Sequence, residues 1–137
     1  MNIEVNTKAK AYATDSAIIN AHVEKVYSLI YNMKQWPEWF GGVTEVNIDK
    51  EPAEGLSFTW KADGYTIQST IHTVKPNYEI GWTGKIWWIK AVHNWQFECL
   101  PDGNTRVTVS ESFSGFGSSL MTGTLEKTLK KDLQTLK

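Results

Sequence analysis

One stretch limits the possible folds more than any other: LSFTWKADGYTIQSTI, residues 56–71. Asp63-Gly64 is a two-residue turn of the kind that closes a β-hairpin, because both of its positions tolerate positive φ. Folding back about it sets Ala62 opposite Tyr65, Trp60 opposite Ile67, Phe58 opposite Ser69 and Leu56 opposite Ile71. Side chains alternate between faces along a strand, so those eight share one mostly apolar face. Thr59, Lys61, Thr66, Gln68 and Thr70 share the other. Turn and alternation require the same register, and a one-residue slip would expose the apolar set. A chain holding this segment needs an antiparallel sheet with one face buried.

A second hairpin is written in AVHNWQFECLPDGNTRVTVSESF, residues 91–113. A three-residue loop at Pro101-Asp102-Gly103 sets Phe97 opposite Val107, Trp95 opposite Val109 and His93 opposite Glu111. A slip of two residues sets Trp95 against Glu111 instead. Between the hairpins, YEIGWTGKIWWIK supplies a strand with Ile80, Trp82, Gly84 and Ile86 on one side. Residues 8 to about 20 read as a first strand ending in Ala17-Ile18-Ile19. In NAHVEKVYSLIYNM, Val23, Val26, Tyr27, Ile30 and Met33 recur near helical spacing, with Asn20 and the turn after it as entry signals. QWPEWFGG reads as a second, short helix with Pro37 at its first position. Past Ser118, a candidate N-cap, Met121, Leu125, Leu129, Leu133 and Leu136 form one stripe on a helix of about five turns.

The predicted order is strand, two short helices, about six antiparallel strands and one long helix. A sheet with one apolar face and a helix with one apolar stripe must bury those surfaces against each other. The fold class is therefore α+β, a curved antiparallel sheet of about seven strands wrapped on a long C-terminal helix. One helix cannot fill the concave side of such a sheet. The remaining volume is either plugged by large side chains or left for a ligand.

At 137 residues the chain is expected to be one domain, 1–137, with its core at about 9–137. A net charge of -1 gives no field that favours nucleic acid or an anionic membrane. The lone cysteine, Cys99, excludes an internal disulfide framework and reads as an inert, partly buried thiol. MNIEVNTKAKAYATDS carries no apolar signal-peptide core, and nowhere do about 18 apolar residues run together. A cytoplasmic protein with no stable membrane insertion is the expectation. His22, His72 and His93 have no chelating spacing, so no metal is expected. SESFSG lacks the context of a serine nucleophile, no glycine-rich phosphate loop is present, and no cofactor is expected.

Two segments carry a resemblance. INAHVEKVYSLIYNMKQWPEWFGGV (19–43) resembles an Ile-x-Ala-Pro-x-Glu-x-Val-Trp helix start followed by Trp-Pro-x-Trp. WTGKIWWIKAVHNWQFECLPDGNTRVTVSESFSG (82–115) resembles a W-x-G, H-x-F-x-F, PDG-x-T-R-V, E-x-F-SG run. Both belong to the SRPBCC superfamily, which includes START lipid-transfer domains, birch-pollen-type allergens and polyketide cyclase/dehydrases. The resemblance covers roughly residues 9–137 and implies a helix-grip fold with a cavity for a small hydrophobic molecule. It departs at His22, where many relatives carry proline. It departs also at Val109, where some carry a histidine, so chemistry run through that histidine does not carry over. Fold alone does not settle function.

Seven tryptophans point to an aromatic-lined or aromatic-filled interior. The candidate ligand-binding residues are Trp36, Trp39, Phe40, Phe58, Trp60, Ile67, Ile71, Trp82, His93, Trp95, Phe97, Val109, Glu111, Phe113, Met121 and Leu125. Of adjacent Trp87 and Trp88, at most one faces inward. Glu111 sits where the alternation asks for a hydrophobe, and a buried carboxylate needs a partner. His93, about 5 Å away across the strands, is that candidate. Three functions fit. The first is binding or carriage of a small hydrophobic or aromatic ligand, the second a cofactor-independent cyclase or dehydratase with Glu111 and His93 as acid and base. The third is a co-chaperone-like protein-interaction module whose cavity is filled by its own tryptophans. Monomer and homodimer both remain open.

Overall fold

A computed structural model describes residues 11–40, 42–86 and 89–114. Seven strands form one antiparallel sheet. They are β1 (Ala11–Ile19), β2 (Val43–Asn47), β3 (Ser57–Ala62), β4 (Tyr65–Lys75), β5 (Glu79–Ile86), β6 (Ile89–Cys99) and β7 (Thr105–Ser114). Their spatial order is β1-β7-β6-β5-β4-β3-β2. Each neighbour from β2 to β7 is therefore its neighbour in sequence, and only β1 crosses to join β7. Helix α1 (Val23–Tyr31), a single 3₁₀ turn at Met33–Gln35 and helix α2 (Trp36–Trp39) fill that crossover. The expected C-terminal helix, with Met121 and Leu125, lies outside the described residues, as do Trp87, Trp88 and the side chain of Phe113.

Both hairpins take the register their sequences imply. Asp63 and Gly64 have φ of 51° and 85°, and β3 pairs Trp60 with Ile67 and Phe58 with Ser69. Around Pro101-Asp102-Gly103 the Leu100 amide donates to the Asn104 carbonyl at 2.8 Å. β6 and β7 then pair Phe97 with Val107, Trp95 with Val109 and His93 with Glu111. The alternative slip is excluded.

The inner face of the sheet is the apolar one. Val107, Val109, Trp95, Ile80, Trp82, Ile71 and Phe58 are buried on it, and the short helices bring Val26, Tyr27, Ile30, Met33, Trp36 and Phe40 against them. Full burial of one such aliphatic side chain stabilises by about 1.5–3 kcal/mol. Helix α1 starts without a side-chain cap; the His22 carbonyl instead accepts from the Lys25 and Val26 amides. Packing of its Val26-Tyr27-Ile30 stripe holds it in place. Cys99 is exposed, not partly buried as expected. It is the last residue of β6, beyond the reach of the core that covers Trp95 and Phe97.

The outer face carries one feature the alternation did not forecast. A β-bulge between Ile71 and Thr73 leaves His72 as the extra residue, and it is buried with Thr73 and Asn94. Its Nε2–H donates to Asn94 Oδ1 at 2.8 Å, and its Nδ1 accepts from Thr73 Oγ1 at 2.7 Å. The ring crosses Gly81, where a Cβ would lie 2.6 Å from His72 Cε1 and closer still to Asn94 Oδ1. Glycine is thus required there for space.

Candidate functional site

Five rings close a circuit on the inner face. Trp36 meets Trp82 at 5.1 Å between centroids, Trp82 meets His93 at 4.9 Å, and His93 stacks on Trp95 at 5.6 Å with planes 11° apart. Trp95 meets Phe40 at 6.3 Å, and Phe40 returns to Trp36 at 5.6 Å. Phe58 and Trp60 pack edge-on against Trp36, and Trp39 stacks on Phe40 at 5.0 Å. Strand parity places Trp82, His93 and Trp95; helix α2, turned by the Pro37 entry, delivers Trp36 and Phe40. Ile71 and Val109 are fully buried beside this circuit, whereas Ile67 is only half-buried near the Asp63-Gly64 turn. Phe97 contacts Tyr27 edge-on at 5.3 Å.

The polar atoms divide this interior. Trp36 Nε1–H donates to the Ile30 carbonyl and Trp60 Nε1–H to Ser69 Oγ, each at 3.0 Å. Ser69, the one polar residue on its hairpin's inner face, is there as an acceptor for Trp60. By contrast, Trp95 Nε1, Trp39 Nε1, His93 Nε2 and Tyr27 Oη are buried with no hydrogen-bond partner. Such orphaned groups are rare in folded proteins and each needs an explanation.

His93 and Glu111 meet as their register implies, with His93 Nδ1 3.1 Å from Glu111 Oε2. Both side chains are close to fully buried, His93 at 8% exposure and Glu111 at 11%. Two effects oppose at the imidazole. A carboxylate beside it favours the charged ring, and burial favours the neutral one. Burial prevails and pushes the His93 pKa down to about 3. Burial also pushes the Tyr27 phenol up to about 12, with Tyr31 adding to the shift. Tyr27 was not singled out in the sequence reading, since it fell on a helical stripe that reads as core. The only signal was a hydroxyl where the stripe is otherwise hydrocarbon.

A depression lies on the outer face, an open trough of about 860 Å³. It follows two rows of the sheet, Asn47-Thr59-Gln68-Lys85-Lys90 and Ser57-Thr70-Thr83-Val92-Ser112. Phe58, Ser69, Gly84 and Ala91 of the intervening row line it too, so its mostly polar lining meets one aromatic ring, Phe58, among the described residues. Among the described residues no group of three His, Cys, Asp or Glu side chains is placed to hold a metal ion. No helix among them is long and apolar enough to cross a membrane.

Against known families, residues 10–137 match the one described as polyketide cyclase / dehydrase and lipid transport. The chain belongs to this family. With it comes membership of the SRPBCC superfamily, which the solved structures of similar fold agree with. A hypothetical protein of Helicobacter pylori superposes with a TM-score of 0.86 at 13% identity, over 95% of this chain and 88% of its own. The Streptomyces aromatase/cyclase Zhui gives 0.79 at 12% identity, over 91% and 90%. A START superfamily protein of Mycobacterium smegmatis gives 0.72 at 14%, over 90% and 94%. At these identities the likeness is one of fold. No curated protein matches the sequence.

Proposed function

We propose that this family member binds a small, largely aromatic molecule on the inner face of its sheet, beside His93, Trp95, Trp39 and Tyr27. The observation that supports this reading is the set of buried, partnerless polar atoms on those four residues. An interior that only packed against itself would have satisfied them, as it satisfied Trp36 and Trp60. Ligand sites combine apolar walls with a few polar groups that fix orientation, and this half of the interior has that composition. The lipid transport in the family's description agrees with binding of a small apolar molecule. Trp36, Trp60, Phe58 and Ile71 serve here as the wall behind the site.

Acid–base catalysis by His93 and Glu111 is the weaker reading. An efficient proton acceptor has a pKa near the working pH, and burial holds His93 far below that. We assign the pair to positioning.

Native mass spectrometry of freshly purified protein, followed by titration with the neutral probe N-phenyl-1-naphthylamine, tests the proposal. A co-purified small molecule, or saturable quenching of tryptophan fluorescence with one site per chain, is the expected result. Absence of both would overturn it and favour the reading in which the tryptophans fill the interior and the activity lies on the surface.

A further inference from the structure

The orphaned atoms also specify what the occupant must offer, provided the ligand-binding reading holds. Glu111 Oε2 lies 3.1 Å from His93 Nδ1; with Glu111 taken as the carboxylate, it accepts the Nδ1 proton. The partner of one ring nitrogen decides the state of the other, so Nε2 is left as a bare acceptor. It is buried and has nothing to accept from. Next to it along β6, Trp95 presents an N–H that is wholly buried and has nothing to donate to. An indole nitrogen is only ever a donor. The half-site therefore lacks one donor and one acceptor, at rings 5.6 Å apart.

A hydroxyl supplies both. A carboxylate or phosphate supplies acceptors only, and brings a second negative charge into a poorly solvated interior beside Glu111. A bare hydrocarbon leaves both groups unsatisfied, each at a cost of the kind that makes buried orphans rare. An occupant that joins the run of rings from Trp82 through His93 to Trp95 is best matched by a ring of its own. We infer that the occupant is a neutral, hydroxyl-bearing aromatic molecule whose hydroxyl donates to His93 Nε2 and accepts from Trp95 Nε1–H. Glu111 acts here through His93, as a positioning residue that selects the tautomer and repels anionic ligands.

Three probes of one shape separate the possibilities: 2-naphthol, 2-methylnaphthalene and 2-naphthoate, titrated at pH 7 against wild-type protein by tryptophan quenching and calorimetry. The expected order is naphthol about tenfold tighter than methylnaphthalene, the equivalent of one well-made hydrogen bond, with naphthoate weakest. His93→Phe keeps the ring stack and is expected to reduce the advantage of naphthol, leaving only the contact with the Trp95 N–H, while methylnaphthalene still binds. Glu111→Gln is expected to raise naphthoate affinity several-fold. Equal binding of naphthol and methylnaphthalene by the wild type would overturn the inference and leave the ligand-binding reading standing. Preferred binding of naphthoate would likewise overturn it. Binding of none of the three would overturn the inference together with the reading it rests on. Because the probe series needs no variant, an unfolded His93→Phe does not weaken the test.

Discussion

Two halves of one aromatic interior use the same residue type differently. Around Trp36, each indole N–H with a described partner is held at 3.0 Å, by the Ile30 carbonyl or by Ser69 Oγ. By contrast, the N–H groups of Trp95, which stacks on His93, and of Trp39, and the hydroxyl of Tyr27, are buried with nothing to bond. Both halves are dry and walled by rings, so hydrophobic burial does not distinguish them. Satisfaction of polar atoms does. On the proposed reading, a half that closes on itself is structure, and the half left incomplete is where a ligand would contribute.

The sharpest way to break this comparison is at Trp36, which has 0% exposure and sits where four other rings meet it. Trp36→Ala is expected to cost about 3–5 kcal/mol, read as a lower urea midpoint. A loss under about 1 kcal/mol would show that this half is not closed packing.

Acid is expected to act next in size, through the other half. Unfolded, His93 takes up a proton near its ordinary 6.5; folded, it resists until about 3. The unfolded state thus binds more protons between those values, and stability falls as pH drops from about 6.5 toward 3. The slope reaches at most about 1.4 kcal/mol per pH unit. Burial lowers the His72 pKa as well, which adds to the loss in the upper part of the window. Thermal melts from pH 7 to pH 4 measure it, and the slope should shrink in His93→Phe. An unchanged slope in that variant would assign the effect elsewhere.

Ser69→Ala is expected to cost about 1–3 kcal/mol, because it strands the buried Trp60 N–H. Tyr27→Phe is the smallest effect and the most telling contrast. Its hydroxyl has no partner, so its removal should change stability at pH 7 by less than about 0.5 kcal/mol in ligand-free protein. The same variant should flatten the loss of stability between pH 10 and about 12. Over that range the wild-type phenol ionises in the unfolded chain before the folded one. A large loss at pH 7 would mean that Tyr27 belongs to the closed half.

Much of the fold was legible before any coordinates. The Asp63-Gly64 and Pro101-Asp102-Gly103 turns, read with strict alternation, led to the pairs Trp60–Ile67 and His93–Glu111. A period of two leaves no half-integer freedom, so a turn of known length determines every pair beyond it. The candidate site was legible in part: His93, Trp95 and Glu111 could be placed on one face, and Trp36 and Phe40 near it. Tyr27 was not recognised, because a helical stripe does not reveal whether a hydroxyl on it finds a partner. His72 was not recognised because a bulge interrupts the alternation on which the reading depends, and only the empty space over Gly81 accounts for it.

The sequence by itself determined which residues share a face and which pair across a hairpin, since both follow from local backbone geometry. Only the tertiary structure decided which indole finds an acceptor. The Trp36 N–H reaches a carbonyl six residues back only because the 3₁₀ turn and α2 fold it under α1. Trp95 lies on a strand whose register was plain, yet its N–H has no such neighbour. Register places Cα atoms, but a hydrogen bond is settled by the elements that arrive from elsewhere in the chain.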